Sequence, residues 1–536
     1  MTTAARSHAD PTFDPLRDRL FVGATVRTLD PRRPTAQAVA VRGGRVLAVG
    51  DEEEVRARLA PGAETVELDG ATLTPGFHDA HVHLGVHGLE RAQVPLGDTT
   101  SFDEAVARLR ARAEDTPPGR WVLGSGFAVQ RWGGTEPDRA ALDAAVPDHP
   151  VLLSSQDHHG GIANGAALAR AGVHAGTPDP SGGVFRRRPD GEVSGYLLEN
   201  AVEQVARAVP PPTPGELRHA LLDGAGSLAA RGITTVHHMA YEPASHFRAM
   251  GLAARDEAFP LRVWACVPQE EIEAAAALGV ATGLGGVRFE VGGAKFFVDG
   301  ALGSLTAWML EPYDGTDDVG LALTDPETLR ERVAAAVDAG LTPVAHAIGD
   351  AAVRTLLDAF EATEPAWRAA GLRPRVEHAQ HMHPDDVARL GHLGLVASMQ
   401  PLHLTFDAPT IHTRLADRED RAYPMRSLAE AGAVLAFGSD TPVAVPDVPA
   451  SLRAAIGRTG LQGLSVAPHE ALTPEQAVRA YTVGAATAIG REGRSGVVRP
   501  GADADLVAWS DDPLEGRFEG LTALRTVVAG RVVART

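Results

Sequence analysis

Residues 292–300 read GGAKFFVDG: an apolar run of strand length, closed by an Asp-Gly turn signal, with one cation inside it. That cation, Lys295, is the only lysine in the chain; of 50 lysines and arginines the other 49 (50 − 1) are arginine. Seven further runs share the form of this one: LTPGF (73–77), ITTVHHM (233–239), LRVWACV (261–267), TPVAHAI (342–348), RVEHAQ (375–380), GLVASMQ (394–400) and VLAFGSD (434–440). Ala-rich helical stretches such as RERVAAAVDAG and PDDVARLGHLG alternate with them, which predicts parallel βα units. Eight such units predict an α/β chain built as a (β/α)8 TIM-like barrel. A doubly wound sheet is the alternative, and the lack of a Gly-rich phosphate turn disfavours it.

The flanks read differently. Short strand-like runs fill residues 18–73, with a hairpin expected at Arg42-Gly43-Gly44-Arg45, and the same style returns in ADLVAWSDD and LRTVVAGRVVART. A small composite β-sandwich from 18–73 plus 491–536 is therefore expected beside a barrel spanning 74–490. Residues from about 95 to 214 are too many for one helix, and carry their own strands, a GGVFRRRPDGEVSG hairpin and a PPPTP exit. They read as an insertion subdomain over the barrel mouth. Residues 1–17 read as a disordered tail.

At 536 residues, 44% hydrophobic and 22% charged, the composition is that of a globular protein. A net charge of −19 argues against nucleic-acid and anionic-membrane partners but does not itself identify a partner; a small-molecule substrate is the expectation. A homodimer is the expected assembly. Cys266, the one cysteine, excludes an internal disulfide or thiolate metal cluster and reads as a buried inert thiol. The N-terminus shows no apolar signal core, and no run approaches the ~18 apolar residues of a membrane span, so a cytoplasmic location is expected.

In a barrel, chemistry sits at the C-terminal ends of the strands. There the chain places His81 and His83 (in HDAHVH), Lys295, Asp299, His346, His378, Gln400 with His403, and Asp440. The two histidines of His81-x-His83 point to one side at strand spacing and can reach one ion. Imidazole and carboxylate donors suit Zn²⁺, with Mn²⁺, Fe²⁺ or Co²⁺ as alternatives. His237, His238, His392 and His412 read as structural or solvated. Lys295 has two readings. A deprotonated primary amine adds CO₂ to become an N6-carboxylated lysine that bridges two ions, which arginine cannot do because it stays protonated. Alternatively it stays unmodified, pairing with Asp299 or Asp440 or touching substrate.

The stretches PGFHDAHVHL, VAHAIGD, RVEHAQ and FGSDTP resemble strand motifs of the amidohydrolase superfamily. KFFVDGALGSLTAWMLEPY, SMQPLHLTFD and DHHGGIANGAALARAGV are similar to its amidohydrolase-3 group, which includes YtcJ-like proteins and N-substituted formamide deformylase. The resemblance implies a metal site of His81, His83, Lys295, His346, His378 and Asp440, holding one or two divalent ions. Two departures stand out: His78, where the group often has an apolar residue, and His238, where an acid is common. The implied activity is hydrolysis of a non-peptide C–N bond in an amide or N-formyl compound, with Asp440 as general base and then acid. Asp299, His159, Asn164, Gln400 and His403 are candidates to line the substrate pocket. A cyclic-amide hydrolase, an aminohydrolase (deaminase) and a catalytically silent regulatory homologue are the alternatives. The stretch after His346 lacks the glutamate that many deaminases carry there.

Overall fold

The computed structural model describes residues 17–134, 136–155 and 160–536. Apart from Arg17, the expected tail lies outside them, as does His159. Two compact units emerge, one comprising the chain up to Val86 and Leu221–Thr536, the other His87–Ala220.

In the first unit, both termini build two sheets. The four-stranded one runs in the order 45–50, 38–42, 19–22, 64–67, and the six-stranded one in the order 531–535, 523–528, 506–509, 72–75, 25–27, 35–36. Phe21, Val39, Val41, Leu73, Leu506 and Val527 are among the buried side chains packed between them. Gly43 and Gly44 both take positive φ (59° and 74°), which a two-residue hairpin matched to strand twist requires.

The remainder of this unit is an eight-stranded, all-parallel sheet. Its strands are β1 (Phe77–Val82), β2 (Ile233–His238), β3 (Arg262–Pro268), β4 (Phe289–Phe297), β5 (Thr342–Ala347), β6 (Arg375–His378), β7 (Val396–Met399) and β8 (Val434–Phe437), in sequential spatial order. Closure comes where β1 meets the end of β8: Val82 pairs with Thr441, His83 N donates to Thr441 O at 3.0 Å, and Asp440 N donates to His81 O at 2.7 Å. The chain thus forms the expected barrel. Helices cover it by periodicity. In Asp350–Ala362, Val353, Leu356, Leu357 and Phe360 are buried at helical spacing, each contributing roughly 1.5–3 kcal/mol.

The first barrel strand lies further along than LTPGF. Thr72–Pro75 belongs to the six-stranded sheet, paired with Leu506–Trp509, and the barrel strand begins at Phe77. Gly76 is the joint. Its N–H is donated to Asp505 O, while a Cβ there would sit 2.3 Å from Thr234 Oγ1 on β2, so only glycine lets the chain cross. His78 and His81 therefore lie within β1 rather than after it.

The second unit holds a six-stranded sheet in the order 183–187, 193–199, 160–163, 151–155, 122–127, 94–95. It has buried clusters of its own, one around Leu109, Phe127, Leu142 and Val151. Ser101 caps its helix Phe102–Glu114 by accepting from Glu104 N at 3.2 Å. Among the described residues, no helix is long and apolar enough to cross a membrane.

Candidate metal centre

At the C-terminal end of the barrel, strand ends far apart in sequence bring ionisable side chains together. One ligand atom each from His81, His378 and Asp440 lie within 4.8 Å of one another, and all three residues are buried. His83 joins them: its Nε2 is 3.2 Å from Asp440 Oδ1, and His81 Nε2 is 3.5 Å from the same oxygen.

The hydrogens of these rings can be assigned. His83 Nδ1 donates to Met239 O at 3.0 Å, and His81 Nδ1 donates to Glu377 Oε2 at 2.7 Å. In their neutral forms both rings therefore carry a lone pair on the Nε2 that faces Asp440. Neither contact to Asp440 has hydrogen-bond geometry, and Oδ1 is left without a partner. Three electron-rich atoms converge there. A cation, or a proton taken by a ring, is needed there. Lys295 Nζ, His378 Nδ1 and His403 Nε2 are likewise buried without partners. This donor set and these orphaned atoms fit a divalent ion.

Electrostatics follow the same pattern. Burial lowers His81 to about 4, and burial with the nearby His346 and His81 takes His378 well below the usual imidazole range, so both stay neutral. Burial also lowers His83, but Asp440 and Glu242 outweigh it and its pKa ends up raised. Burial raises Asp440, yet the surrounding histidines outweigh that and hold the carboxyl well below its ordinary value. Lys295 is lowered by burial to about 8. Its Nζ lies 4.4 Å from the centroid of the Phe297 ring, with no hydrogen-bond acceptor.

The backbone is bent to reach this arrangement. His378 (φ 75°), Ala379 (φ 47°) and Asp440 (φ 60°) are in the left-handed region that non-glycine residues avoid, at roughly 1–3 kcal/mol each. Such conformations persist where the surroundings impose them, as the Asp440 N–H bond to β1 does here.

The other expected residues divide. His346 adjoins His378, ring centroids 4.4 Å apart, with its Nε2 donating to Gly300 O at 2.9 Å. His403 Nε2 is 3.7 Å from Asp440 Oδ2, and Gln400 Oε1 is buried without a partner. Asp299 is tied to the backbone, with its Oδ1 3.6 Å from His346 Nε2. Its carboxylate accepts from the backbone N–H groups of Trp308, Ile348 and Gly349 at 2.8–3.0 Å, pinning the loops after β4 and β5. Asn164 is spent too. It accepts from Val151 N and Ala167 N, donates to Val146 O and His149 O, and caps a helix of the second unit. Cys266 is fully buried, and burial pushes its thiol up to about 12.

The residues that sequence reading left unassigned are Glu377, Arg375 and Glu242. Arg375 and Glu377 form a fully buried ion pair, Nε to Oε1 2.8 Å. The signal was present in RVEH: two opposite charges two residues apart, on one face of a strand otherwise apolar. Glu242 comes four residues after His238 and is 3.4 Å from its Nε2, supplying the acid that β2 itself lacks. Burial would raise Glu242, but the charges of His238 and His83 pull it below its ordinary value.

A parallel eight-stranded barrel with a His/Asp centre at the C-terminal strand ends defines a metal-dependent hydrolase. The sequence model of the amidohydrolase family matches residues 64–534, and the chain belongs to that family. It is 34% identical to Protein LONG AFTER FAR-RED 3 of Arabidopsis thaliana over 96% of this chain and 91% of that one. N-substituted formamide deformylase of Arthrobacter pascens is 29% identical, over 96% and 98%. Among solved structures, an uncharacterized metal-dependent hydrolase from Pyrococcus horikoshii superposes with a TM-score of 0.79 at 25% identity, covering 93% of this chain and 99% of that one. The protein is an enzyme of the metal-dependent amidohydrolase class, a hydrolase acting on carbon–nitrogen bonds.

Proposed function

We propose that the substrate is a small linear amide or N-formyl compound, cleaved to an amine and a carboxylic acid by water activated at the His/Asp centre. The observation that carries this is the convergence of His81 Nε2 and His83 Nε2 on Asp440 Oδ1. Similarity over nearly the whole chain to a protein named a formamide deformylase supports the bond type.

His81, His83, His346, His378 and Asp440 would hold the ion, and nitrogen with carboxylate donors favours Zn²⁺. Lys295 would complete the set as its N6-carboxylated form, being buried, unpartnered and a primary amine. When bound, the ion supplies Lewis acidity and lowers the pKa of its water from 15.7 to about 7. Asp440 accepts the proton of the attacking water and returns it to the leaving nitrogen, so one carboxylate serves as base and then as acid. His403 Nε2 lies 3.7 Å from Asp440 Oδ2, on the other side of that carboxylate.

Turnover of a panel tests the reading. Zn²⁺-loaded protein should hydrolyse N-formyl amines or linear amides and leave lactams, imides and ring amidines untouched. Turnover confined to a cyclic substrate, or none on any panel member, would overturn it.

A further inference from the structure

Six buried side chains form one hydrogen-bonded line through the barrel interior. Ser495 Oγ lies 2.8 Å from His78 Nε2, His78 Nδ1 is 3.3 Å from His237 Nε2, and His237 Nδ1 is 3.0 Å from Arg375 Nη1. Arg375 Nε donates to Glu377 Oε1 at 2.8 Å, and Glu377 Oε2 meets His81 Nδ1 at 2.7 Å. His78, His237, Arg375 and Glu377 show no exposed surface. Arg375 Nη2 also lies within hydrogen-bond distance of Ala80 O, Ser398 Oγ and Glu377 Oε2, at 2.8, 3.1 and 3.3 Å.

The chemistry of the groups gives this line a direction. A guanidinium only donates and a carboxylate only accepts. On one side, His237 Nδ1 must offer a lone pair to Arg375. Its proton then sits on Nε2 and is donated to His78 Nδ1, and His78 Nε2–H is donated to Ser495. On the other side, Glu377 only accepts: Oε1 takes Arg375 Nε–H, and Oε2, which Arg375 Nη2 also reaches at 3.3 Å, faces His81, so His81 must carry its proton on Nδ1. The tautomers of three histidines are thus set outward from one cation.

We propose that Arg375 and Glu377 are positioning residues that fix the tautomer of His81, so that a lone pair and not an N–H faces Asp440. Its hydrogen bond to the site is the one from Glu377 to the His81 ring, and the charge of Glu377 also acts on Lys295. In the variant Glu377→Gln, the amide oxygen stays with Arg375 and the amide N–H₂ turns to His81, which must then accept on Nδ1 and present an N–H to the site. Neither His78 nor Ser495 touches His81, so the far end of the line contributes only by satisfying Arg375.

The proposal rests on reading the cluster as a metal centre, and the test separates the two. A neutron diffraction structure of the metal-free wild-type protein should show hydrogen on His81 Nδ1, His237 Nε2 and His78 Nε2. Hydrogen on His81 Nε2 alone would overturn the proposal whether or not metal binds. Chelator competition should then show Zn²⁺ binding weakened about 10- to 100-fold in Glu377→Gln, with a cooperative thermal melt retained. Should that variant fail to fold because Arg375 is left unpaired, the double variant Arg375→Met, Glu377→Leu removes both charges together with the acceptor for His81 Nδ1–H, and should weaken Zn²⁺ binding in the same direction. Wild-type affinity in either folded variant would overturn the positioning role. A wild-type protein that binds no divalent ion would sink the metal-centre reading, while the hydrogen positions would still decide this one.

Discussion

Asp440 Oδ1 lies 3.2 Å from His83 Nε2, and the two residues follow opposite edges of the barrel sheet, β8 and β1. The centre is therefore built on the seam where the barrel closes. The same residues that bring the donors together, His81 through Thr441, carry the hydrogen bonds that close it. Asp440→Asn keeps the volume and the backbone bond to β1 but replaces an anionic oxygen with a neutral amide. Its kcat should fall by at least about 10²–10⁴, the range for loss of an acid–base group, with little change in thermal midpoint. Activity within a few-fold of wild type would remove Asp440 from the mechanism.

Lys295→Arg tests the only lysine. Arginine keeps the charge but cannot add CO₂. The variant should lose activity while remaining folded by circular dichroism, and native mass spectrometry should find the mass of one CO₂ on wild-type protein and none on the variant. Wild-type turnover in the variant would end the bridging role.

His78 should make acid costly. Its folded pKa is lowered by burial to about 3, against 6.5 for an ordinary histidine. Because the folded value is depressed, the unfolded chain binds the proton first. The stabilising contribution is fully present above pH 6.5 and is lost as pH falls from there towards 3, at up to about 1.4 kcal/mol per pH unit for one proton. Denaturant unfolding of wild-type protein between pH 7 and 5 should show this slope. In His78→Asn the slope should be shallower by about one proton. An unchanged slope would place the acid sensitivity elsewhere.

Much of this was legible in the sequence. Eight apolar runs separated by Ala-rich helices determined a barrel, because parallel strands buried on both faces read as unbroken apolar stretches. The polar residues at their ends stood out for the same reason, and the C-terminal location followed from the fold class. Hairpin 42–45 was set by two glycines that alone tolerate its φ values. Tertiary structure decided what depends on groups far apart in the chain. Asp299 comes two residues after Phe297, the β4 partner of His346 on β5, yet Asp299 pins loops while His346 adjoins the centre, a difference made by which backbone N–H groups reach Asp299. Glu377 looked like an ordinary charge beside a ligand until folding placed it 2.7 Å from His81. Local sequence determines which element forms and which face is apolar. The direction of a lone pair depends on what sits opposite it, and here that partner comes from another strand.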